Sequence, residues 1–467
     1  NPNHGNNVFL RAGATYQLTD KDDFYANAFG MFGHRRGNSV TDYTSDLPAH
    51  WTANRNVSKS SNDMRGAHAE VGYTHKWSDN HTLDFMVGFN HWGGPTWNSY
   101  LQHQEWDTPE DVTDIYREQD MRIKLNGADV KLDYVQQLNS WLKLEAGFQG
   151  QYSHENSPST TLQGTSDQDM IIAPDLYNRF IYDNDINAFY VTFGGKVEKL
   201  SFSAGLRAEQ WQTRARSLDF GMTYDDVDAI KRNKFALFTS AFLSYSLPRD
   251  NEVQINYTRR IRRPWGGQLN SFRDISDPSN ISYGNPDLEP QYSNAFELNY
   301  IKSWTWHMIS FSAYLRTTEN DMNRISYLNG DVMYSTWSNV GTQTNTGCEI
   351  VGKNSFLGGK LDFTTTINLY NSHVDAWNLD FHDGNENFPV SGKARDDFSW
   401  DARCMASVRL PWGISFQATG RYNSRRLTAQ GSREAGWNVD AGLRKNIGKF
   451  SISLNCRDVF DSRRMHS

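Results

Sequence analysis

The chain has 467 residues, with 47 basic and 54 acidic side chains and a formal net charge of −7. This balance gives no cationic footprint for binding nucleic acid. We find no apolar run that approaches the roughly 18 residues of a membrane-spanning helix. The three cysteines are too few for a disulfide framework. We expect Cys348, Cys404 and Cys456 on the apolar faces of three separate strands, which argues against a metal site built from them.

Alternation of apolar and polar residues is the main signal along the chain. In 142–152, apolar Leu142, Leu144 and Phe148 alternate with polar residues, and 200–209 and 398–410 repeat the pattern. Successive strand side chains point to opposite faces, so each segment has one apolar and one polar face. An antiparallel soluble sheet would alternate in the same way. If the sheet lies in a membrane, the apolar series that we predict to face lipid includes Phe148, Phe202, Leu206, Cys404 and Val408.

Tight turns and long polar stretches divide these segments into pairs. The turns lie at 20–23, 78–81, 139–141, 198–200, 248–251, 303–305, 357–360, 411–413 and 448–449, and these nine hairpins predict about 18 strands. Long loops are predicted at 36–65, 93–119, 155–185, 213–232, 262–290, 372–394 and 424–434. Asn329-Gly330 predicts a tall hairpin that extends into solvent. Short turns on one side and long loops on the other are typical of an outer-membrane β-barrel, with the loops outside.

One stretch carries a family resemblance. Residues 257–300 read YTRRIRRPWGGQLNSFRDISDPSNISYGNPDLEPQYSNAFELNY. The pieces that match are Arg262-Arg263-Pro264, Leu269-Asn270, Asp277-Pro278, Gly284-Asn285-Pro286, Leu288 with Pro290, Glu297-Leu298, Asn339-Val340-Gly341, Gly347-Cys348-Glu349-Ile350 and Leu454 to Asp461. Together these motifs resemble the TonB-dependent receptor barrels of the Bacteroidota type, the outer membrane protein β-barrel family.

The resemblance implies an all-β antiparallel transmembrane β-barrel and one barrel domain over residues 1–467. Such receptors have 22 strands, an N-terminal plug and a periplasmic segment that pairs with TonB. Because Leu454–Asp461 matches the penultimate strand, we expect that the plug, the first strands and the closing strand are absent from this sequence, as the tail 463–467 also suggests. Either the sequence is a fragment of a longer receptor, which we favour, or the protein is a plugless relative. We therefore expect no ladder between Val8–Leu18 and Phe450–Phe460, and a gap wide enough for about four strands.

The arginine cluster is the sharpest candidate for a binding site. Arg259, Arg260, Arg262 and Arg263 could form an anion-attracting rim at the mouth of a loop lining the lumen. They could equally pair with the loop carboxylates of Asp274 or Asp277. Trp265 and Phe272, with Trp337 and Trp377, could stack on a ligand or pack the loops.

A second set of charges falls on the polar faces of the strands and is predicted to face the lumen. These residues could line a polar path, or form cross-strand pairs that wet the wall or contact a plug. They are Lys143, Glu145, Arg207, Glu209, Asp401, Arg403, Arg421, Asp440 and Arg444.

The leading functional hypothesis is a TonB-dependent transporter in the Gram-negative outer membrane that imports an iron chelate, a glycan or a peptide. A non-transporting scaffold of an outer-membrane assembly or secretion complex, and a passive porin, remain alternatives. Expected partners are outer-membrane lipid, the TonB complex, and a surface lipoprotein or other outer-membrane subunits. No cofactor is implied. We expect no enzyme, because neither an HExxH nor a GxSxG motif occurs.

Overall fold

The computed structural model describes residues 3–43, 51–106, 112–274, 280–330, 332–383, 386–448 and 450–462. The strands in these ranges are β1 (Asn3–Thr19), β2 (Asp22–Tyr43), β3 (Trp51–Ser78), β4 (His81–Trp106), β5 (Val112–Gln137), β6 (Leu142–Gly164), β7 (Ile171–Ile172), β8 (Asn178–Val197), β9 (Leu200–Leu218), β10 (Ile230–Leu247), β11 (Asn251–Arg262), β12 (Asn280–Ser282), β13 (Gln291–Ser303), β14 (His307–Glu319), β15 (Met322–Asn329), β16 (Val332–Asn339), β17 (Thr342–Phe356), β18 (Leu361–Val374), β19 (Trp377–Asp383), β20 (Glu386–Gly392), β21 (Arg395–Leu410), β22 (Ile414–Asn423), β23 (Arg426–Leu427), β24 (Ser432–Arg433), β25 (Gly436–Ile447) and β26 (Phe450–Cys456). One α-helical turn, α1 (Gly266–Leu269), and two 3₁₀ turns (Pro174–Leu176 and Pro411–Gly413) complete the described elements.

A single antiparallel sheet dominates the fold. It contains 19 strands, of which β7 is only two residues long, so 18 longer strands remain. Each long strand pairs with the next long strand in the chain, which leaves β1 and β26 at the two edges. The predicted all-β antiparallel architecture with about 18 strands is therefore confirmed. No helix in the described part of the chain is long and apolar enough to cross a membrane.

All nine predicted turns join strands that pair with each other. Because neighbouring strands run in opposite directions, these turns lie at one end of the sheet and the longer connections at the other. We call these the turn side and the loop side. The last turn keeps Gly448 at φ 56°, a left-handed conformation that glycine adopts without strain, while residue 449 lies outside the described residues.

The ladders fix which side chains share a face. An apolar row crosses seven strands through directly opposed residues, namely Leu243, Ile255, Leu298, Ala313, Cys348, Leu369 and Trp400. Strand alternation places Cys404 and Val408 on this face. The ladders between β10, β9, β8 and β6 place Phe202, Leu206 and Phe148 on the same face. The predicted apolar series therefore lies on one face, the apolar face. That this face contacts lipid remains a prediction.

The structure corrects the predicted loops in the first half of the chain. β3 has 28 residues and β4 has 26, so most of 36–65 and 93–119 is hydrogen-bonded ladder rather than loop. β6 and β8 likewise occupy most of 155–185. These extensions carry polar side chains on both faces, and a strand that is wet on both faces shows no alternation to detect.

The loop side of the second half forms small sheets instead. β15 and β16 flank Asn329-Gly330 as predicted, but β16 also pairs with β12, so these strands form a separate three-stranded sheet. Ile325 in β15 is 0% exposed, so this hairpin packs against other segments and does not extend freely into solvent as predicted. β19 with β20 and β23 with β24 form two further hairpins.

The two edge strands of the main sheet are not joined. Among the residues that the structure describes, no ladder pairs β1 with β26. The predicted gap of about four strands stays a prediction. Two pieces of sequence used above, Asp277-Pro278 and the tail 463–467, lie outside the described residues.

Candidate functional site

The predicted arginine cluster lies at the loop-side end of β11, so it belongs mostly to a strand and not to a loop. Arg259, Arg260 and Arg262 are residues of β11. Strand alternation places Arg260 and Arg262 on the polar face. Arg259 falls on the opposite face, where its guanidinium donates to Asn294 Oδ1 at 3.2 Å. The four arginines therefore do not act as one cluster.

Arg263 makes the strongest contact in the group. Its guanidinium binds the carboxylate of Glu209 in β9, whose side chain is 8% exposed. The same carboxylate accepts a hydrogen bond from Arg207 Nε at 2.5 Å. The Arg263 guanidinium also lies 5.8 Å from the ring of Trp211, a contact of cation–π type. The partner of Arg263 is thus a carboxylate of the sheet, and not the predicted Asp274; Asp277 lies outside the described residues.

The described residues that follow β11, 263–274 and 280–290, fold back onto the polar face of β8–β10, and we call them the latch. Leu269 and Leu288 of the latch pack with Phe180, Tyr182 and Ala215 in one buried cluster. Alternate residues of β8 and β9 supply the sheet's part of this cluster. The latch buries apolar area that the polar face would otherwise expose on its loop side.

Polar contacts hold the C-terminal part of the latch on two sides. Arg232 in β10 donates to the main-chain oxygens of Pro286 and Leu288. At the other side, Asn285 Nδ2 donates to the Trp337 oxygen at 2.9 Å. A sequence signature often marks a ligand site, but here the Gly284-Asn285-Pro286 motif makes contacts that fix backbone. The second reading of the arginine motif, as a structural element, fits these contacts.

Gly284 shows why this position in the latch excludes a side chain. Its N–H donates to the Asn270 oxygen at 2.7 Å. A Cβ on Gly284 would lie 2.5 Å from that oxygen and 2.7 Å from the oxygen of Gln268. Real Cβ atoms do not approach main chain this closely, so the two arms of the latch can meet only at glycine.

A cavity of about 500 Å³ lies on the polar face beside the latch. Lys131, Asp133, Gln149, Tyr190, Arg207, Phe238, Ser240 and Arg260 are among its lining residues. Arg207 reaches over β8 to Gln149 Oε1 at 3.0 Å, and the Tyr190 hydroxyl donates to Asp133. A second cavity, of about 290 Å³, shares Arg260, Ser240 and Thr258 with the first.

The remaining predicted polar-face charges are spread over the sheet. Lys143 and Glu145 form an ion pair at 2.5 Å near the turn side. Asp401 binds Arg426 at 3.2 Å. Arg444 donates to Ser451 Oγ at 2.9 Å. Only Arg207 of this predicted series lines the cavity of about 500 Å³. That the whole series faces a lumen remains a prediction.

Arg403 and Arg421 stand directly opposite each other in the ladder between β21 and β22. Like charges in this position destabilise a strand pair. In the described part of the chain, neither guanidinium has an ion-pair partner. The sequence pattern placed both residues on the polar face but gave no sign that they are neighbours.

The predicted loop aromatics have different environments. Trp377 is buried in a cluster with Ile325 and Val340, and Trp337 packs against the latch cluster. Trp265 is 63% exposed. Phe272 lines a small cavity with Tyr100 and Arg117. Packing, one of the two readings from sequence, therefore accounts for Trp337 and Trp377, while Trp265 stays available to a ligand.

Sequence reasoning missed a packed body on the loop side of the second half. The ring of Tyr327 stacks against the rings of Tyr334, Phe381 and Phe388, with centroids 5.0–5.4 Å apart. Gln430, between β23 and β24, connects that hairpin to β15. Its side chain accepts a hydrogen bond from the Ser326 N–H at 2.8 Å and donates one to the Ser326 main-chain oxygen at 2.7 Å. Alternating apolar residues in β15 and β19 were the available signal. In the described residues, no group of three His, Cys, Asp or Glu is placed to hold a metal ion.

Solved structures share this architecture. The siderophore receptor PiuA from Acinetobacter baumannii superimposes with a TM-score of 0.60 at 10% identity, over 98% of this chain and 77% of that one. The ferric-catecholate import receptor Fiu from E. coli K12 gives a TM-score of 0.56 at 13% identity, over 98% and 76%. The copper transporter OprC gives 0.55 at 10% identity, over 99% and 74%. At these identities the likeness establishes the fold alone.

A search among curated proteins finds no significant relative. A family model provides the stronger finding, because it matches residues 75–467 and so covers most of the sheet, the latch and the last strands. This match agrees with the motifs read between 257 and 461. The chain belongs to the outer membrane protein beta-barrel family and is a β-barrel protein of the Gram-negative outer membrane.

Proposed function

We propose that this chain forms the barrel wall of an outer-membrane transporter that imports a scarce nutrient with energy passed through TonB. The cavity of about 500 Å³ on the polar face carries the proposal. It combines aromatic, hydroxyl and charged groups, as ligand sites do. Its lining residues belong to hydrogen-bonded strands of the main sheet, so the walls of the cavity are pre-formed. The transport roles in the names of the similar structures are consistent with this proposal.

The charges around the cavity favour a ligand with an anionic group. Lys131 is neutralised by Asp133 at 2.5 Å, and Arg207 by Glu209 at 2.5 Å. Arg260 is exposed and, within the described residues, has no ion-pair partner. A carboxylate or catecholate of an iron chelate, or an acidic group of a glycan or peptide, would supply that partner. The opposed pair Arg403 and Arg421 would favour an anion for the same reason.

An uptake experiment tests the proposal. Cells that lack the gene are complemented with the native protein, and the uptake of labelled iron chelates, oligosaccharides and peptides is measured with and without functional TonB. We expect uptake of one ligand class to need both proteins. Arg260→Ala should reduce that uptake at least about tenfold, since a charge-assisted contact contributes roughly 1.5–3 kcal/mol. Lys231→Ala, which removes a cation from the other face of β10, is the matched control.

Other outcomes would contradict the proposal. Uptake that continues without TonB, together with non-selective conductance of the purified protein, would indicate a passive porin. Normal uptake of every ligand in the deletion strain, with stable co-purification of other outer-membrane subunits, would indicate a scaffold. Equal uptake by Arg260→Ala and the native protein would remove Arg260 from the site.

A further inference from the structure

The apolar face carries a pair of cations at the loop-side margin of its apolar band. Arg65 in β3 and Lys124 in β5 both stand opposite Gly93, which lies between them in β4. Phe32 is the next residue of this row, and Phe89 lies on the same face nearer the turn side. We propose that Arg65 and Lys124 bind the phosphate-bearing headgroup of a glycolipid in the outer leaflet of the membrane.

The floor between the two cations has no side chain. Gly93 has φ 155°, and a Cβ there would lie 2.0 Å from the main-chain oxygen of Ile123, so this position requires glycine. Pro95, on the same face, adds a compact ring and no N–H. Neighbouring strands lie about 4.8 Å apart, so Arg65 and Lys124 leave their strands about 10 Å apart. Two long side chains can converge on one phosphate across such a groove.

Neither cation is neutralised by the protein. In the described part of the chain, Arg65 and Lys124 form no ion pair. The carboxylates near them are engaged elsewhere, because Asp63 binds His34 at 2.5 Å and Asp120 binds Arg122 at 3.2 Å. Two uncompensated cations side by side on a membrane protein attract anionic lipid.

The position of the pair along the strands selects a headgroup as the ligand. Toward the turn side, the row next to the pair contains Ala67, His91 and Asn126. Beyond that row the same face is apolar through Ala69 and Val71 in β3 and through Ala128 and Val130 in β5. A cation at the edge of such a band extends its aliphatic stem over apolar surface and holds its charge at the level of the headgroups. Guanidinium and ammonium groups both bind phosphate well. Because the loops face outward, the leaflet is the outer one.

The experiment measures lipid bound to the purified, intact protein in detergent. Bisphosphorylated lipid A, its dephosphorylated form, phosphatidylcholine and inorganic phosphate are titrated, and bound lipid is counted by native mass spectrometry. We expect bisphosphorylated lipid A to bind and the dephosphorylated form to bind much more weakly. The double variant Arg65→Ala/Lys124→Ala should weaken binding about 25-fold, from about fivefold for each cation.

The control removes the same charge from the other face. Lys196→Ala/Lys353→Ala deletes two exposed cations from the polar face and should leave lipid A binding unchanged. If the alanine variant does not fold, the charge-retaining Arg65→Lys/Lys124→Arg should bind like the native protein, whereas Arg65→Gln/Lys124→Gln should not. Unchanged binding in the glutamine or alanine variant, or an equal loss in the control, would overturn the proposal. Inorganic phosphate that binds as tightly as lipid A would reveal a plain anion site, which also overturns it.

Discussion

The loop-side segments of the two halves of the sheet have different structures. In the first half the ladders simply continue, so β3, β4 and β5 reach 28, 26 and 26 residues. In the second half β13 and β14 have 13 residues each, and the chain beyond them leaves the sheet. A polar ladder satisfies its backbone by hydrogen bonds alone, whereas a segment that leaves the sheet needs its own core.

Backbone conformation marks where the second half departs. β14 ends at Glu319, and Asn320 adopts φ 53°, while Gly341 before β17 has φ 70°. These left-handed residues turn β15 and β16 away from the direction of their parent strands. The two main-chain segments at the base of this hairpin remain hydrogen-bonded to each other, because the Val340 N–H donates to the Asp321 oxygen at 2.9 Å. Two kinks thus convert a tall hairpin into part of a packed body.

The latch connects the two halves. On one side it is anchored to β9 and β10 through Glu209 and Arg232. On the other side β12 pairs with β16, and Asn339 exchanges hydrogen bonds with Glu289, accepting at 2.8 Å and donating at 2.9 Å. The family motif therefore forms a structural connection between the two halves. Variants that disturb one anchor or one half at a time can separate the two contributions.

The largest effect is expected at the buried end of the latch. Glu209→Gln leaves Arg263 and Arg207 without their charged partner, and breaking a buried ion pair costs about 3–5 kcal/mol. Hydrogen exchange in 263–274 should rise strongly, while exchange in β16 should change little. Glu145→Gln is the control, since the exposed pair with Lys143 contributes only about 0–1 kcal/mol. Equal protection of the latch in both variants would show that Glu209 is not its anchor.

A second prediction concerns the packed body of the second half. Ile325→Ala empties a fully buried site, and such truncations cost about 2–5 kcal/mol. We expect faster hydrogen exchange across 322–340 and in β19, and no change in the exchange rates of β3 and β4. Val57→Ala in the tall ladder of β3, a half-buried position, should cost less and stay local. A loss of protection that spreads over both halves would contradict their independence.

The contrast between the two halves also explains which features of the fold the sequence predicts and which it does not. The period of two, the turns and the face of each strand are local signals, and they placed Phe148, Leu206 and Cys404 on one face. The lengths of β3 and β4 were missed because their extensions are polar on both faces. The pair of Arg263 with Glu209 joins residues far apart in the chain, and no local pattern reports such a partner. Arg232 was assigned to a loop, so its role in holding the latch was not foreseen.

A third prediction tests the meeting point of the two latch arms. In Gly284→Ala the new methyl group would collide with the Asn270 and Gln268 oxygens, and overpacking of this kind costs about 1–3 kcal/mol. We expect a lower unfolding temperature and more proteolytic cleavage within 263–290. Gly221→Ala is the control for altered glycine content, because a Cβ at Gly221 meets nothing within 4 Å, although its φ of 82° adds local strain. Wild-type resistance to proteolysis in Gly284→Ala would show that the arms can separate freely.

The smallest effect concerns pH and the tall ladders of the first half. His103 lies three residues before the loop-side end of β4, opposite both Asp114 in β5 and Arg55 in β3. Its ring binds Asp114 at 2.7 Å and Glu105 at 3.3 Å, and Arg55 is engaged by Asp42 at 3.4 Å. The hydrogen bond that the His103 ring donates to Asp114, and then that to Glu105, raises the pKa of His103 above its ordinary value of about 6.5.

A raised pKa in the folded state means that folding favours the protonated ring. The stabilisation is therefore complete below about pH 6.5 and is lost as the pH rises through the folded value. Amide exchange near the ends of β4 and β5, corrected for its intrinsic pH dependence, should be slower at pH 5.5 than at pH 8. Asp114→Asn should remove most of this difference. In the second half, His373 also bridges two carboxylates, Asp396 and Asp375, but beside a packed body. The same pH change should therefore affect exchange in β18 less than in β4, and a larger response in β18 would reverse the contrast between the two halves.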